Sequence, residues 1–234
     1  LHLARPAIRQ ERSVILLEGY MDVVAMWQAG FANAVASCGT SLTREQAGIL
    51  ARMCDKVLFL YDGDSAGQKA MLRGTLELLA EGLQVKVIAL PPEHDPDSLL
   101  RSLGPVEGPK ALAGHIAAAT DAFVHFLRVA TARHGATTVE GRVAIGQELM
   151  DLLSAVRHPI ARAQYEAMLS DVVGLPLDQL RREVDRLAAR RATTPRAPVS
   201  HPEAEGSDEG THDGEESPHP ADPANSGEQG QQQE

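Results

Sequence analysis

The sequence predicts an α/β fold, a mostly parallel sheet flanked by helices, followed by a small all-α subdomain and a disordered acidic tail. Three observations carry that prediction. Between Ser13 and Leu90, short apolar runs alternate with stretches of helical spacing, the pattern that βαβ crossovers leave in a chain. Beyond Gly114 helical periodicity alone remains, and from Thr193 large apolar residues almost vanish.

Residues 1–11 read as a connecting segment and 12–115 as the sheet domain. Ser13–Leu17 is a partly β-branched apolar run ending at Glu18-Gly19, and Tyr20–Ala29 continues with Val23, Val24 and Trp27 at helical spacing. Ala32–Ala36 is a second short strand, followed by the small residues Ser37, Cys38, Gly39 and Thr40. Thr43 is placed to cap a helix from Arg44 to about Met53, because its hydroxyl can accept from an orphan amide of the first turn. Lys56–Tyr61 is a compact hydrophobic strand running into Asp62-Gly63-Asp64. A long helix from about Ser65 to Ala80 follows, with Gly82 as its stop. Val85–Leu90 supplies a fourth strand that Pro91 and Pro92 prevent from continuing.

Four helices are expected in the subdomain spanning 116–192: Ile116–Ala132, Val139–Ala155, Ile160–Val172 and Leu177–Arg190. Residues 193–234, rich in Pro, Gly, Ser, Glu and Gln, cannot bury enough surface to offset the entropy of ordering.

A hydrophobic content of 43% is enough to build a core over most of the 234 residues. The net charge of −10 says little about partners, because the segment from Thr193 carries ten Asp or Glu against the single base Arg196. The rest, with 21 basic and 22 acidic residues, is nearly neutral. Two cysteines, Cys38 and Cys54, make neither a disulfide framework nor a zinc pattern and suit a reducing, cytoplasmic setting. No signal peptide or membrane-length apolar run is present, so no membrane role is expected. The chain opens at Leu1 without Met, as a processed protein or a fragment would.

Three acidic clusters stand at the ends of predicted strands: Glu18 and Asp22, Asp62 and Asp64, Asp95 and Asp97. In open α/β sheets ligands bind beyond the carboxyl ends of the strands, so these acids can converge on one pocket. Mg²⁺ takes oxygen ligands and is commonly held by a few carboxylates together with substrate phosphates, which points to phosphoryl or nucleotidyl transfer. Each cluster also has a plain structural reading. Glu18 and Asp22 suit a helix N-terminus, where an acid gains roughly 0.3–1 kcal/mol from the dipole. Asp62-Gly63-Asp64 puts two like charges side by side with no basic neighbour in sequence, a costly arrangement without a cation. It lacks the spaced ligands of a calcium-binding EF-hand loop. Asp95-Pro96-Asp97 is, by itself, a solvated turn. The loop containing Gly39 and Thr40 is either a phosphate-contacting loop or a capped connection, and Lys56 and Lys69, with Arg73 and Lys86, are either phosphate contacts or solubilising bases.

Glu18-Gly19-Tyr20-Met21-Asp22-Val23, Ser37-Cys38-Gly39-Thr40-Ser41-Leu42-Thr43, Asp62-Gly63-Asp64-Ser65-Ala66-Gly67 and Asp95-Pro96-Asp97, in this order and spacing, resemble the Toprim domain as it occurs in bacterial DnaG-type primases. The likeness runs over roughly Leu1–Arg191. It implies a nucleotidyltransferase, a DNA-directed RNA polymerase that makes RNA primers from nucleoside triphosphates on single-stranded DNA. It also implies that Glu18, Asp22, Asp62, Asp64, Asp95 and Asp97 bind Mg²⁺, or Mn²⁺ in its place, with Glu18, Asp62 and Asp64 at the chemistry. In that family a zinc-binding domain and a basic subdomain precede the Toprim part, and zinc is expected only there. The chain is accordingly expected to be a catalytic-core fragment, with the replicative helicase docking elsewhere in a complete protein and not on this chain. Two other readings remain open, a Toprim nuclease that hydrolyses phosphodiesters with the same ions and a non-catalytic interaction module.

Overall fold

A computed structural model describes residues 1–37, 42–61, 65–91 and 94–193, with the side chains of Ser65 and Ala66 excepted. Five strands form one sheet in the order β2-β1-β3-β4-β5. They are β1 (Ser13–Leu17), β2 (Ala34–Ala36), β3 (Lys56–Leu60), β4 (Gln84–Val87) and β5 (Thr120–Asp121). The first four run parallel, and β5 pairs antiparallel with β4 through Lys86↔Asp121 and Val87↔Thr120.

The continuous apolar runs of β1 and β3 have their cause in burial on both faces of the sheet. Val14, Leu16, Val57, Phe59, Val85 and Val87 face one core. Ile15, Leu17, Leu58 and Leu60 face the other. The second face is covered by α2 (Tyr20–Gln28) and α5 (Pro96–Ala117), which contribute Met26, Leu99 and Leu112. The first face carries α3 (Arg44–Ala51) and α4 (Ser65–Ala80). Gly74 brings α4 close to β3, since a Cβ there would lie 3.0 Å from the Phe59 ring.

The remaining helices, α6 (Ala122–His134), α7 (Val139–Ala155), α8 (Pro159–Val173) and α9 (Leu177–Thr193), extend the first core, adding Phe123, Phe126, Ile145, Leu149, Leu169 and Val184 to it. Buried Glu166 ties α8 to α9 by accepting from Arg162 Nε at 2.9 Å and Arg181 Nε at 3.0 Å.

Local signals set several boundaries where the sequence puts them. Thr43 and Gln46 form a reciprocal capping box on α3. Helix α4 spans the expected residues, and Gly82 follows it at φ +83°. Three features depart from expectation. The connecting segment holds a helix, α1 (Arg5–Glu11), anchored by fully buried Ile8. The stretch after Asp97 is helical as α5, with a break at Gly104 (φ +76°) after which Pro105 opens a fresh turn, where a missing N–H costs nothing. The expected helix from Ile116 is instead the end of α5, the two-residue β5 and then α6, which Asp121 caps through the amides of Phe123 and Val124. The tail, 194–234, lies outside the described residues.

Candidate metal centre at the carboxyl edge of the sheet

The parallel register brings three strand ends level. Leu17 pairs with Ala36 on one side and Leu60 on the other, so Ser37, Glu18 and Tyr61 leave the sheet side by side. Tyr61 Oη donates to Ser37 Oγ at 2.9 Å, joining the ends of β3 and β2 across the end of β1, where Glu18 lies. The Tyr61 ring also meets Phe59 edge-on at 5.0 Å. Burial raises the phenol pKa, the Ser37 bond opposes that, and the Glu18 charge adds to it, so Tyr61 stays a neutral donor. Tyr61 is not among the residues the sequence singles out, and Ser37 enters there only as the first residue of the small-residue loop. Both carry a positional signal in sequence, each being the first polar residue after its strand.

Glu18 is half-buried, with one carboxylate oxygen shielded from solvent. Asp22, in the first turn of α2, folds back toward the strand end: a Cβ built on Gly19 would sit 3.1 Å from Asp22 Oδ2. The Gly19 backbone is extended (φ −106°, ψ 154°), so glycine is not needed for an unusual dihedral, and a side chain there would press on the Asp22 carboxylate. The two acids therefore share the β1–α2 turn.

Asp95 and Asp97 stand at the start of α5. Asp95 is its N-cap, accepting from the Ser98 amide at 2.7 Å while Ser98 Oγ accepts from the Asp95 amide at 2.9 Å. That amide bond is the main reason the Asp95 carboxyl lies below the usual range, so it is an anion at neutral pH. Asp97 makes a two-point pair with Arg101, with Nη2 at 2.6 Å and Nε at 3.1 Å.

Asp62, Asp64, Gly39 and Thr40 lie outside the described residues, between which Tyr61 and Ser65, and Ser37 and Leu42, are the flanks. Among the described residues no three His, Cys, Asp or Glu side chains converge as a metal cluster. Lys56 is the first residue of β3, at the opposite end of the strand from the acids and roughly 13 Å away at 3.3 Å per residue. It is not at this edge, because a base at a strand's start is separated from its carboxyl end by the length of the strand. Lys69 is exposed on α4 and lines a groove with Gln68, Phe126 and Arg133.

The described donors at this edge are carboxylates, a hydroxyl and a phenol, without thiolate, which is the chemistry of a hard divalent cation. A shielded Glu18 oxygen and an Asp22 carboxylate turned back over a glycine fit such an ion. Among the described residues no helix is long and apolar enough to cross a membrane.

Residues 15–100 match the sequence model of the Toprim-like family, and residues 123–178 match that of the DnaB-helicase binding domain of primase. The second match bears on the expectation that the helicase docks elsewhere than on this chain, since helices of this chain are similar to a family described as helicase-binding. Helical periodicity alone carried no information about a partner. The DNA primase of Halalkalibacterium halodurans is 35% identical over 185 residues, which is 79% of this chain and 30% of that protein. The DNA primase of Geobacillus stearothermophilus is 36% identical over 197 residues, 83% of this chain and 32% of that protein. The chain thus spans about a third of these curated relatives. Among solved structures, a DNA primase domain from Pseudomonas aeruginosa superposes with a TM-score of 0.68 at 31% identity, covering 81% of this chain and 58% of that one. A DnaG primase catalytic domain bound to ssDNA gives 0.65 at 29% identity, covering 75% and 56%. The family-model matches, the curated relatives and the superposed structures agree, and the chain belongs to the bacterial DnaG-type primases, matching them over the Toprim part and the helices that follow.

Proposed function

We propose that this chain is the metal-binding core of a DNA primase, an RNA polymerase that joins nucleoside triphosphates into an RNA primer on single-stranded DNA in the bacterial cytoplasm. The observation that carries the reading is the level edge formed by Ser37, Glu18 and Tyr61, with Asp22 folded onto Gly19 beside it. Likeness to primases over about four-fifths of the chain supports it.

Glu18 and Asp22, with Asp62 and Asp64 from the segment between β3 and α4 and Asp95 and Asp97 at the head of α5, form the acidic set that holds Mg²⁺, for which Mn²⁺ substitutes. When bound, the ion supplies charge neutralisation on the triphosphate and on the leaving pyrophosphate. Tyr61 and Ser37 hold the edges of β3 and β2 at a fixed spacing around Glu18. Asp95, kept ionised by the Ser98 amide, contributes negative charge across the neutral pH range. Helices α6–α8 carry the segment that matches the helicase-binding domain, and contact with the replicative helicase through them belongs to the same proposal.

The test is primer synthesis by the complete protein on a single-stranded template with Mg²⁺. Asp62→Asn, Asp64→Asn and Glu18→Gln abolish synthesis while the unfolding curve stays unchanged. Wild-type rates in all three overturn the assignment.

A further inference from the structure

Two polar side chains that the metal centre does not use meet in one cleft. The cleft has a volume of about 210 Å³ and lies between the ends of β3 and β4, helix α4, the start of α5 and helix α6. Its lining includes Tyr61, Gln68, Met71, Leu90, Asp95 and His125. Gln68 Oε1 and His125 Nε2 are both shielded from solvent by the protein and have no hydrogen-bond partner among the described residues. A buried polar atom left unsatisfied costs roughly 1–3 kcal/mol, so each atom calls for a partner beyond the described residues.

Size and chemistry narrow that partner. One or two waters satisfy two atoms, whereas the cleft has the volume of roughly seven waters at about 30 Å³ each. Drug-sized ligands take roughly 300–1,000 Å³, so the space suits a single small heterocycle. Among the described residues no Lys or Arg lines the cleft, which removes the charge that a phosphate requires. Burial and the nearby Arg128 charge depress the His125 pKa, so the imidazole is neutral. A carboxamide and a neutral imidazole together offer donors and acceptors to the edge of a base, while Tyr61, Met71 and Leu90 provide flat or apolar walls for its faces. Asp95 is shared between the cleft and the acidic edge.

We propose that the Gln68–His125 cleft is a nucleobase subsite that receives the base of a nucleoside triphosphate whose phosphates lie at the acidic edge, a proposal that rests on the primase reading above. Base recognition is thereby separated from phosphate recognition: the cleft takes the heterocycle and the carboxylate edge takes the metal–triphosphate.

Calorimetric titration of the chain in Mg²⁺ with each nucleoside triphosphate and with inorganic triphosphate tests this. Nucleoside triphosphates bind at least tenfold tighter than inorganic triphosphate, and Gln68→Ala and His125→Ala each remove most of that difference while leaving inorganic triphosphate affinity unchanged. In the wild-type chain, the His125 ring resonances shift on adding ATP and stay in place on adding inorganic triphosphate. Equal affinity for ATP and triphosphate, or an unmoved His125, overturns the subsite and leaves the metal centre standing. A His125 shift with a short single-stranded oligodeoxynucleotide alone overturns the nucleotide assignment in favour of a template base. Absence of Mg²⁺-dependent triphosphate binding in the wild type overturns the primase reading and the subsite with it.

Discussion

Replacing Gly19 with alanine separates the proposed metal centre from the fold that supports it. The Gly19 dihedrals are open to alanine, so the backbone imposes no strain. Two small effects oppose each other. Alanine is a poorer N-cap than glycine, which costs about 0.5–1 kcal/mol, and it lowers the entropy of the unfolded chain, which stabilises by about 0.4–1 kcal/mol. Their near cancellation leaves stability within roughly 0.5 kcal/mol of wild type, or about 1–2 °C in Tm for a domain of this size.

The new methyl, however, would stand 3.1 Å from Asp22 Oδ2, where ordinary contact begins at 3.4 Å. The carboxylate must retreat by about 0.3 Å, which displaces the ligand oxygen that the proposed function assigns to Asp22. Mg²⁺ affinity is expected to fall roughly tenfold or more, the size of effect seen when the support of a metal ligand is displaced. Mg²⁺ calorimetry and urea unfolding in chelator are the assays. In an Asp22→Asn background Gly19→Ala should cost no further affinity, because both changes act through one carboxylate. Unchanged Mg²⁺ affinity in Gly19→Ala refutes the reasoning, and so does a stability loss well above 1 kcal/mol, which would make Gly19 a purely structural residue.

Two further outcomes concern stability. Gly141→Ala forces a Cβ to within 1.9 Å of the Gly135 carbonyl oxygen and should destabilise the α6–α7 corner by about 1–3 kcal/mol or more in urea unfolding, whereas Gly146→Ala, whose Cβ meets only Val173 at 3.8 Å, should be neutral or stabilising by about 0.5–1 kcal/mol. A loss as large at Gly146 as at Gly141 contradicts the geometry. Burial pushes the Cys54 thiol from 9.0 up to about 11, so between these values the folded state keeps a proton that the unfolded state releases. Stability therefore falls as pH rises from about 9 to 11, by roughly 2–3 kcal/mol from this group. Subtracting the profile of Cys54→Ala isolates it, and identical slopes in the two proteins would show that Cys54 does not contribute.

Much of the scaffold is legible in sequence because its determinants are local. A strand buried on both faces must be apolar at every position, as Val14–Leu17 and Val57–Leu60 are, and no partner needs to be known to see it. The Thr43 cap, the limits of α4 and the span of α7 are likewise set by residues within one or two turns of each other. Helix α5 escaped because Gly104, Pro105, Gly108 and Pro109 each argue against a helix locally. Packing decides there: Gly108 lies against Leu100, with a built Cβ only 3.2 Å from its Cα, and Leu112 is fully buried beneath the sheet. Strand β5 is too short to have a pattern of its own and exists because β4 offers it an edge.

The same division runs through the candidate site. Acids placed after strands announce a carboxyl-edge site from sequence, since strand direction and strand end are both readable along the chain. The bond from Tyr61 to Ser37, the fold of Asp22 onto Gly19 and the meeting of Gln68 with His125 join residues whose proximity is created by register and helix docking. By itself, then, the sequence determined the alternation of strands and helices and the order of the acidic clusters, because apolar period and turn chemistry act over a few residues. Only the tertiary structure decided that β1 lies between β2 and β3, that Lys56 stands at the far end of β3 from the acidic edge, and that α6 reaches the end of β4, because those depend on which surfaces bury one another across the chain.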